Sequence, residues 1–458
     1  MPAKLSKFLI HATCKEYAHP WTDSCINATT GLGLHAIQDC LRIYSTLYFI
    51  TLLTKKRIPT VADLRTTFLS ILQSTAFLSW SAFAYSSFVC LFRRVLGHFN
   101  IFTVSFVPSF FSSLTAILLE RPSRRTMLCL YVSNIATETL FRMAVSRGYM
   151  YALPRGEIYI FAVGMASLLY FFKSKSNNHD SIFKVIRIAL GPYEEKGYNV
   201  EINNKEEPLK MDRENCNSQN SVISVIWKSV RVYKSLIDRI KSLGGKHSLC
   251  LHPNSCLSHI VGGSFKMFSL GYCLQVGLRS LLHLKSLFTS PQQLRKLLTA
   301  KGSLDLAYFL GGFTGLYQLA SCILRRMRDQ DSSEHAIVAS FVASTSFVMY
   351  PDNTIALYIM WKALQISWNH GVETKKVPEI KWFVIFLYCF STAVLFHAAI
   401  VEPQNLRISY WKFLYNLSGG RIATMSRIPI DDFGLETSKN LQMIFQKSRT
   451  HDKHVFTL

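Results

Sequence analysis

Acidic side chains are the scarce class in this sequence: 28 Asp and Glu stand against 51 Lys and Arg, a formal charge of +23, although only 17% of residues are charged at all. With 49% hydrophobic residues beside so few charges, disorder, collagen and low-complexity architectures are excluded. Alternating apolar and polar stretches bounded by hairpin turns are also missing, which removes sheet folds. Neither a Gly-x-Ser-x-Gly elbow nor a His-Glu-x-x-His helix occurs, and Gly262-Gly263-Ser264-Phe265-Lys266 follows no strand and lacks phosphate-loop spacing. Nothing here requires an enzyme, so a non-enzymatic role is expected. The first ten residues offer only Phe8, Leu9 and Ile10 as an apolar core, so insertion through internal spans is expected rather than a cleaved leader. The 11 cysteines, an odd number scattered along the chain, point to reduced thiols and away from a secreted disulfide framework.

What is present is long uncharged stretches. They run over residues 66–92, 101–119, 158–172, 306–324, 336–351 and 382–401. A helix needs about 20 residues to cross the hydrocarbon core, so four of these suffice while 158–172 and 336–351 fall short. Two more, 126–149 and 257–288, are apolar but charged, and read either as protein-facing spans or as helices lying in the interface. The expected fold is therefore all-α: a multi-pass helical membrane protein with about six to eight membrane helices in two similar halves. Its segments are a cysteine-containing cytosolic stretch (1–65), a first membrane half (66–172), a polar basic central loop (173–256), a second membrane half (257–401) and a cytosolic tail (402–458).

An internal repeat is suggested by superposing Arg93-Arg94 on Arg295-Lys296 and Ser109, Phe111 and Ser113 on Gly311, Phe313 and Gly315. If eight helices are counted, Lys55-Lys56-Arg57, the Arg121, Arg124 and Arg125 link, Arg325-Arg326-Met327-Arg328 and the central loop share one side. The positive-inside bias makes that side cytosolic, with both termini there. A basic surplus on membrane loops suits a bilayer with anionic headgroups and, without a soluble basic face, not nucleic acid. Within the central loop, 199–220 reads as a polar linker. Residues 221–243 read as a basic amphipathic helix, with Lys228, Arg231, Lys234, Arg239 and Lys241 set to meet a membrane surface or a partner, or to pack on the bundle's own cytosolic face.

Three constellations carry chemistry. Cys250, His252, Cys256 and His259 lie at close spacing and offer tetrahedral zinc ligands, and Cys14, His19 and Cys25 near the amino terminus offer more, so the clusters either share one ion or sit side by side. The competing reading is a turn at Pro253 leading into a membrane helix, with no cofactor at all. Glu138 and Arg142 form an i, i+4 charge pair in an apolar segment, which is either a structural contact between helices or part of a polar path for a lipid or solute. Gly311 and Gly315 share a helical face and permit close approach of another helix.

At Asn134-Ile135-Ala136-Thr137-Glu138-Thr139-Leu140-Phe141-Arg142-Met143, continuing through Arg147-Gly148 and Arg155-Gly156-Glu157, the sequence resembles the transmembrane protein 135 family, also called peroxisomal membrane protein 52. Cys14 to Cys25 with His19-Pro20-Trp21, Glu334-His335-Ala336-Ile337, Ser409-Tyr410-Trp411-Lys412-Phe413-Leu414 and Asp432-Phe433-Gly434 resemble further blocks of that family in the same order. The resemblance implies a multi-pass protein of peroxisomal and mitochondrial membranes, distantly similar to the Tim17 group. It also implies effects on mitochondrial fission through the dynamin-related fission GTPase, on peroxisome organisation and on lipid metabolism. It supplies no catalytic residues. The alternative reading, from the residues, is a lipid or small-solute transporter with its path at Glu138 and Arg142; oligomeric state is not legible.

Overall fold

The computed structural model describes residues 8–53, 60–174, 180–195, 245–253, 255–282, 302–452 and 456. The linker 199–220 and the basic face at Lys228, Arg231, Lys234, Arg239 and Lys241 lie outside the described residues. The fold is all-α apart from a two-residue antiparallel ribbon in which Leu9 pairs with Asn100 and Ile10 with Phe99. In chain order the helices are α1 (Cys14–Tyr17), α2 (Cys25–Leu53), α3 (Val61–Leu96), α4 (Phe106–Leu119), α5 (Pro122–Ser146), α6 (Gly156–Ser174) and α7 (Ser181–Leu190). They continue with α8 (Cys256–Leu282), α9 (Asp305–Arg328), α10 (His335–Ser344), α11 (Asn353–Glu373), α12 (Phe383–Val401), α13 (Ile408–Leu417), α14 (Arg421–Thr424), α15 (Ile428–Asp431) and α16 (Thr437–Ser448).

Four of these, α3, α6, α9 and α12, are long and apolar enough to cross a membrane. Two spans differ from the sequence expectation for local reasons. Residues 101–119 shorten to α4 because the Asn100 side chain accepts from the amides of Phe102 and Thr103 and closes a turn ahead of the helix. Residues 158–172 lengthen to α6, since Glu157 and Lys173 are helical and Lys173 ends the helix on Asp331 at 2.5 Å. The termini are capped as the sequence dictates. Thr60 and Asp63 make a capping box on α3, Gly97 closes it in the left-handed region, and Pro122 starts α5, where its missing N–H costs nothing.

The chain divides into two compact units, residues 1–153 with 377–458 and residues 154–376. The division cuts across the two halves read from the sequence: α6 and α7 join the second unit, and α12 and α13 join the first. In the first unit α2 packs on α3, α3 on α4, α12 on both α4 and α5, and α13 on α2. In the second, α8 packs on α9, α9 on α10, α6 on both α10 and α11, and α7 on α8. The pairings are the same set. Among the described residues the chain therefore carries two successive runs of six helices, α2–α7 and α8–α13, and each run lends its last two helices to the other's unit. The correspondence differs from the superposition on Arg295-Lys296: Cys90-Leu91-Phe92-Arg93-Arg94 on α3 matches Cys322-Ile323-Leu324-Arg325-Arg326 on α9, so α3 and not α4 is the counterpart of α9.

Each unit has its own core. The first is built on Phe77, Val89, Ile117, Ile135, Leu395 and Trp411; the second on Phe161, Leu168, Phe172, Phe309, Phe313 and Phe347, with Phe161 stacked on Phe347 at 4.2 Å. Outward, Phe68, Trp80, Tyr308, Leu319 and Phe386 are exposed, which suits lipid contact rather than water. Close helix contacts rest on small residues. Gly311 and Gly315 meet α8, where Ser264 donates from Oγ to the Gly311 carbonyl at 2.9 Å, and a Cβ at Gly311 would come within 2.9 Å of Phe268 Cβ. Gly311→Leu is therefore expected to destabilise by about 1–3 kcal/mol through overpacking, read as a lower unfolding midpoint in detergent. Gly262→Leu, whose Cβ direction meets nothing within 4 Å, is expected to leave the midpoint unchanged.

Candidate metal centres

The segment ahead of α2 turns back on itself. Thr13 caps α1 with Glu16 in a capping box, the Tyr17 hydroxyl donates to the Val104 carbonyl at 2.8 Å, and the Arg93 guanidinium donates to the carbonyls of Ala12 at 2.6 Å and His11 at 3.1 Å. Those contacts fix Cys14 and the His19-Pro20 turn against the carboxyl end of α3, one turn from Cys90. Cys25 opens α2. As a result the donor atoms of Cys14, His19, Cys25 and Cys90 all lie within 4.8 Å of one another. His19 is buried, and its Nδ1 is spent on the Thr22 carbonyl at 2.9 Å. Nε2, also buried, makes no hydrogen bond to oxygen or nitrogen and is left to the thiols.

Cys14 and His19 are electrostatically linked in this set. A hydrogen bond from Cys90 pulls the Cys14 thiol down to about 5 against the effect of burial, with His19 adding to the pull. Burial opposes charge on His19, but its bonds to Cys14 and Thr22 outweigh that and hold it up at about 9. The two shifts are those of a thiolate–imidazolium pair; a ligating imidazole is neutral, so a metal would bind here with loss of the His19 proton.

The second unit repeats the arrangement. Cys250 sits in a turn closed by its amide on the His247 carbonyl, His252-Pro253 follows, Cys256 opens α8, and Cys322 lies on α9 one turn before Arg325. The donor atoms of Cys250, His252, Cys256 and Cys322 again lie within 4.8 Å of one another, with Cys256 Sγ 3.8 Å from Cys250 Sγ and Cys322 Sγ 3.8 Å from His252 Nε2. His259, expected among the ligands, instead stacks its ring on His252 at 4.6 Å and is not part of the four-atom set. Cys14 and Cys25 form a set with His19 and Cys90 inside the first unit, as the later cluster does with Cys322 inside the second. Cys90 and Cys322 were not legible as ligands, because each is far along the chain from its partners; the repeated Cys-x-x-Arg-Arg at the ends of α3 and α9 is the signal that marks them. Either set can hold a metal ion such as zinc.

The charge pair is structural in its contacts. Glu138 accepts from Arg142 at 2.5 Å and, through its other oxygen, from Arg407, the cap residue of α13. Nearby, Arg147 donates to Glu402, which also accepts from Asn405 at 2.8 Å. The second unit places Lys362 of α11 2.8 Å from Asp180, the cap residue of α7. The same junction in each unit is thus held by an ion pair of opposite polarity.

Residues 11–145 match the model of the N-terminal cysteine-rich region of Transmembrane protein 135. The match supports the family resemblance read from the sequence. All four donors of the first cluster, and the Asn134 to Met143 block, fall inside it. The matched region thus contains the set's three cysteines, on α1, α2 and α3, and its histidine, in the turn after α1. No solved structure matches the chain.

Proposed function

We propose that this chain is a member of the transmembrane protein 135 family and a non-enzymatic, multi-pass protein of peroxisomal and mitochondrial membranes, with cytosolic termini. Its proposed roles are in mitochondrial fission, peroxisome organisation and lipid metabolism. Its proposed partners are anionic lipid headgroups, met by Lys228, Arg231, Lys234, Arg239 and Lys241, and the dynamin-related fission GTPase. The match of residues 11–145 to the family's N-terminal region carries this reading, and four apolar helices of spanning length support it. Sets of four protein ligands suit it too, because a filled coordination sphere serves structure rather than catalysis.

The test is rescue of cells lacking the protein. Full-length chain is expected to co-purify with peroxisomes and mitochondria and to restore mitochondrial length. The triple change of Lys228, Arg231 and Lys234 to Gln is expected to insert normally without restoring it. Restoration by that variant, or residence elsewhere, would contradict the proposal. Lipid flux through vesicles carrying the purified protein, abolished by Glu138→Gln while the fold survives, would instead favour the transporter.

A further inference from the structure

Six of the chain's 11 cysteines fall into the two sets described above, three in each, and each set adds one histidine. The order along the chain is the same both times: Cys, His, Cys from a short segment entering a helix, then Cys from the end of the long apolar helix packed beside it. Zinc bound tetrahedrally by thiolates at about 2.3 Å and imidazole at about 2.0 Å sets ligand atoms roughly 3.5–3.8 Å apart. The two distances of 3.8 Å in the second set already have that value, and sulfurs so far apart are not disulfide-bonded. In the first set the Nδ1 bond of His19 to the Thr22 carbonyl fixes the ring so that Nε2 is the ligand nitrogen, the outer-shell contact that metal-bound histidines make. Three thiolates and one imidazole select zinc over the hard cations, which prefer oxygen.

We propose that each unit holds one structural zinc ion, bound by Cys14, His19, Cys25 and Cys90 in the first and by Cys250, His252, Cys256 and Cys322 in the second. Each ion ties the segment before a helix to the basic end of its neighbour, α2 to α3 and α8 to α9. The two sites are copies of one another, carried by the two successive runs of helices. The inference stands apart from the proposed function: it holds in whichever membrane the protein resides.

Elemental analysis of full-length protein, purified in detergent without a metal-affinity step, tests it. Two zinc ions per chain are expected. Cys90→Ser is expected to leave one, Cys322→Ser the other one, and the double variant none, while Cys273→Ser, an exposed cysteine outside both sets, keeps two. Zinc only at trace level in folded wild-type protein, or a content that neither substitution lowers, overturns the proposal. One ion per chain, lost in only one of the two variants, overturns it for the other site. Should the variants fail to fold, cobalt exchanged into the wild-type chain gives a second reading. The intense visible bands of tetrahedral thiolate coordination are expected, and the pale spectrum of octahedral cobalt overturns the assignment.

Discussion

Treating the full-length protein with a strong zinc chelator is expected to release the segment 9–25 from the end of α3, with the long helices left intact. Structural zinc sites contribute on the order of 10–16 kcal/mol of apparent binding free energy in finger peptides. Here part of the attachment survives without metal, through Tyr17 on Val104 and Arg93 on Ala12 and His11. Even so, three sulfurs and a nitrogen whose common partner has gone have little to hold them together, and Cys14, already inclined to the thiolate, becomes reactive. The measurement is alkylation of Cys14, Cys25 and Cys90 followed by mass spectrometry. Labelling is expected to rise by at least an order of magnitude on chelation, to fall again when zinc is restored, and to leave the far-ultraviolet helix signal in place. Equal labelling rates with and without chelator would show that no metal holds the segment.

The second large effect is expected at Arg325. Its guanidinium, 1% exposed, donates to both oxygens of Glu194 at 2.9 and 2.7 Å and from Nε to Asp331 at 3.0 Å. Glu194 is itself buried, in the turn that follows α7, so this pair fastens α7 to the basic end of α9 beside the second cysteine set. Removing Glu194 leaves the buried guanidinium with Asp331 alone, and stranding a buried charge outright costs about 3–5 kcal/mol. Glu194→Ala is therefore expected to lower the unfolding midpoint strongly. Glu194→Gln, which keeps one acceptor, is expected to lose less, and Glu16→Ala at the exposed start of α1 is expected to shift the midpoint least. A Glu194→Ala variant as stable as wild type would mean that Arg325 finds another partner and that the pair does not fasten α7.

Much of the fold was legible because lipid-spanning helices announce themselves by length and lack of charge. Residues 66–92, 306–324 and 382–401 became α3, α9 and α12. Where counting failed, the cause was local chemistry: an Asn100 turn that shortens α4, and a Lys173 at the end of α6 that interrupts an apolar run without interrupting a helix. The repeat was legible in outline and misplaced in register. Apolar spans match one another by composition, and the glycine face of α9 invites a false match to the serine face of α4, whereas the true markers, Cys-x-x-Arg-Arg and His-Pro with Ser-Cys after it, are sparse. That each run of helices lends its last two members to the other unit was not legible, since it depends on which bundle buries them best. The close-spaced ligands were found for the same reason that Cys90 and Cys322 were missed: sequence shows neighbours along the chain, and only antiparallel packing of α2 on α3 and α8 on α9 brings the fourth ligand back.

X-ray absorption at the zinc edge of the full-length protein in detergent is the most direct test of two equivalent Cys–Cys–Cys–His centres. Three sulfurs at about 2.3 Å and one nitrogen at about 2.0 Å per zinc are predicted, with the same shell in Cys90→Ser and in Cys322→Ser at half the zinc content. A shell of oxygen and nitrogen alone, four sulfurs, or no edge above that of the buffer would contradict it.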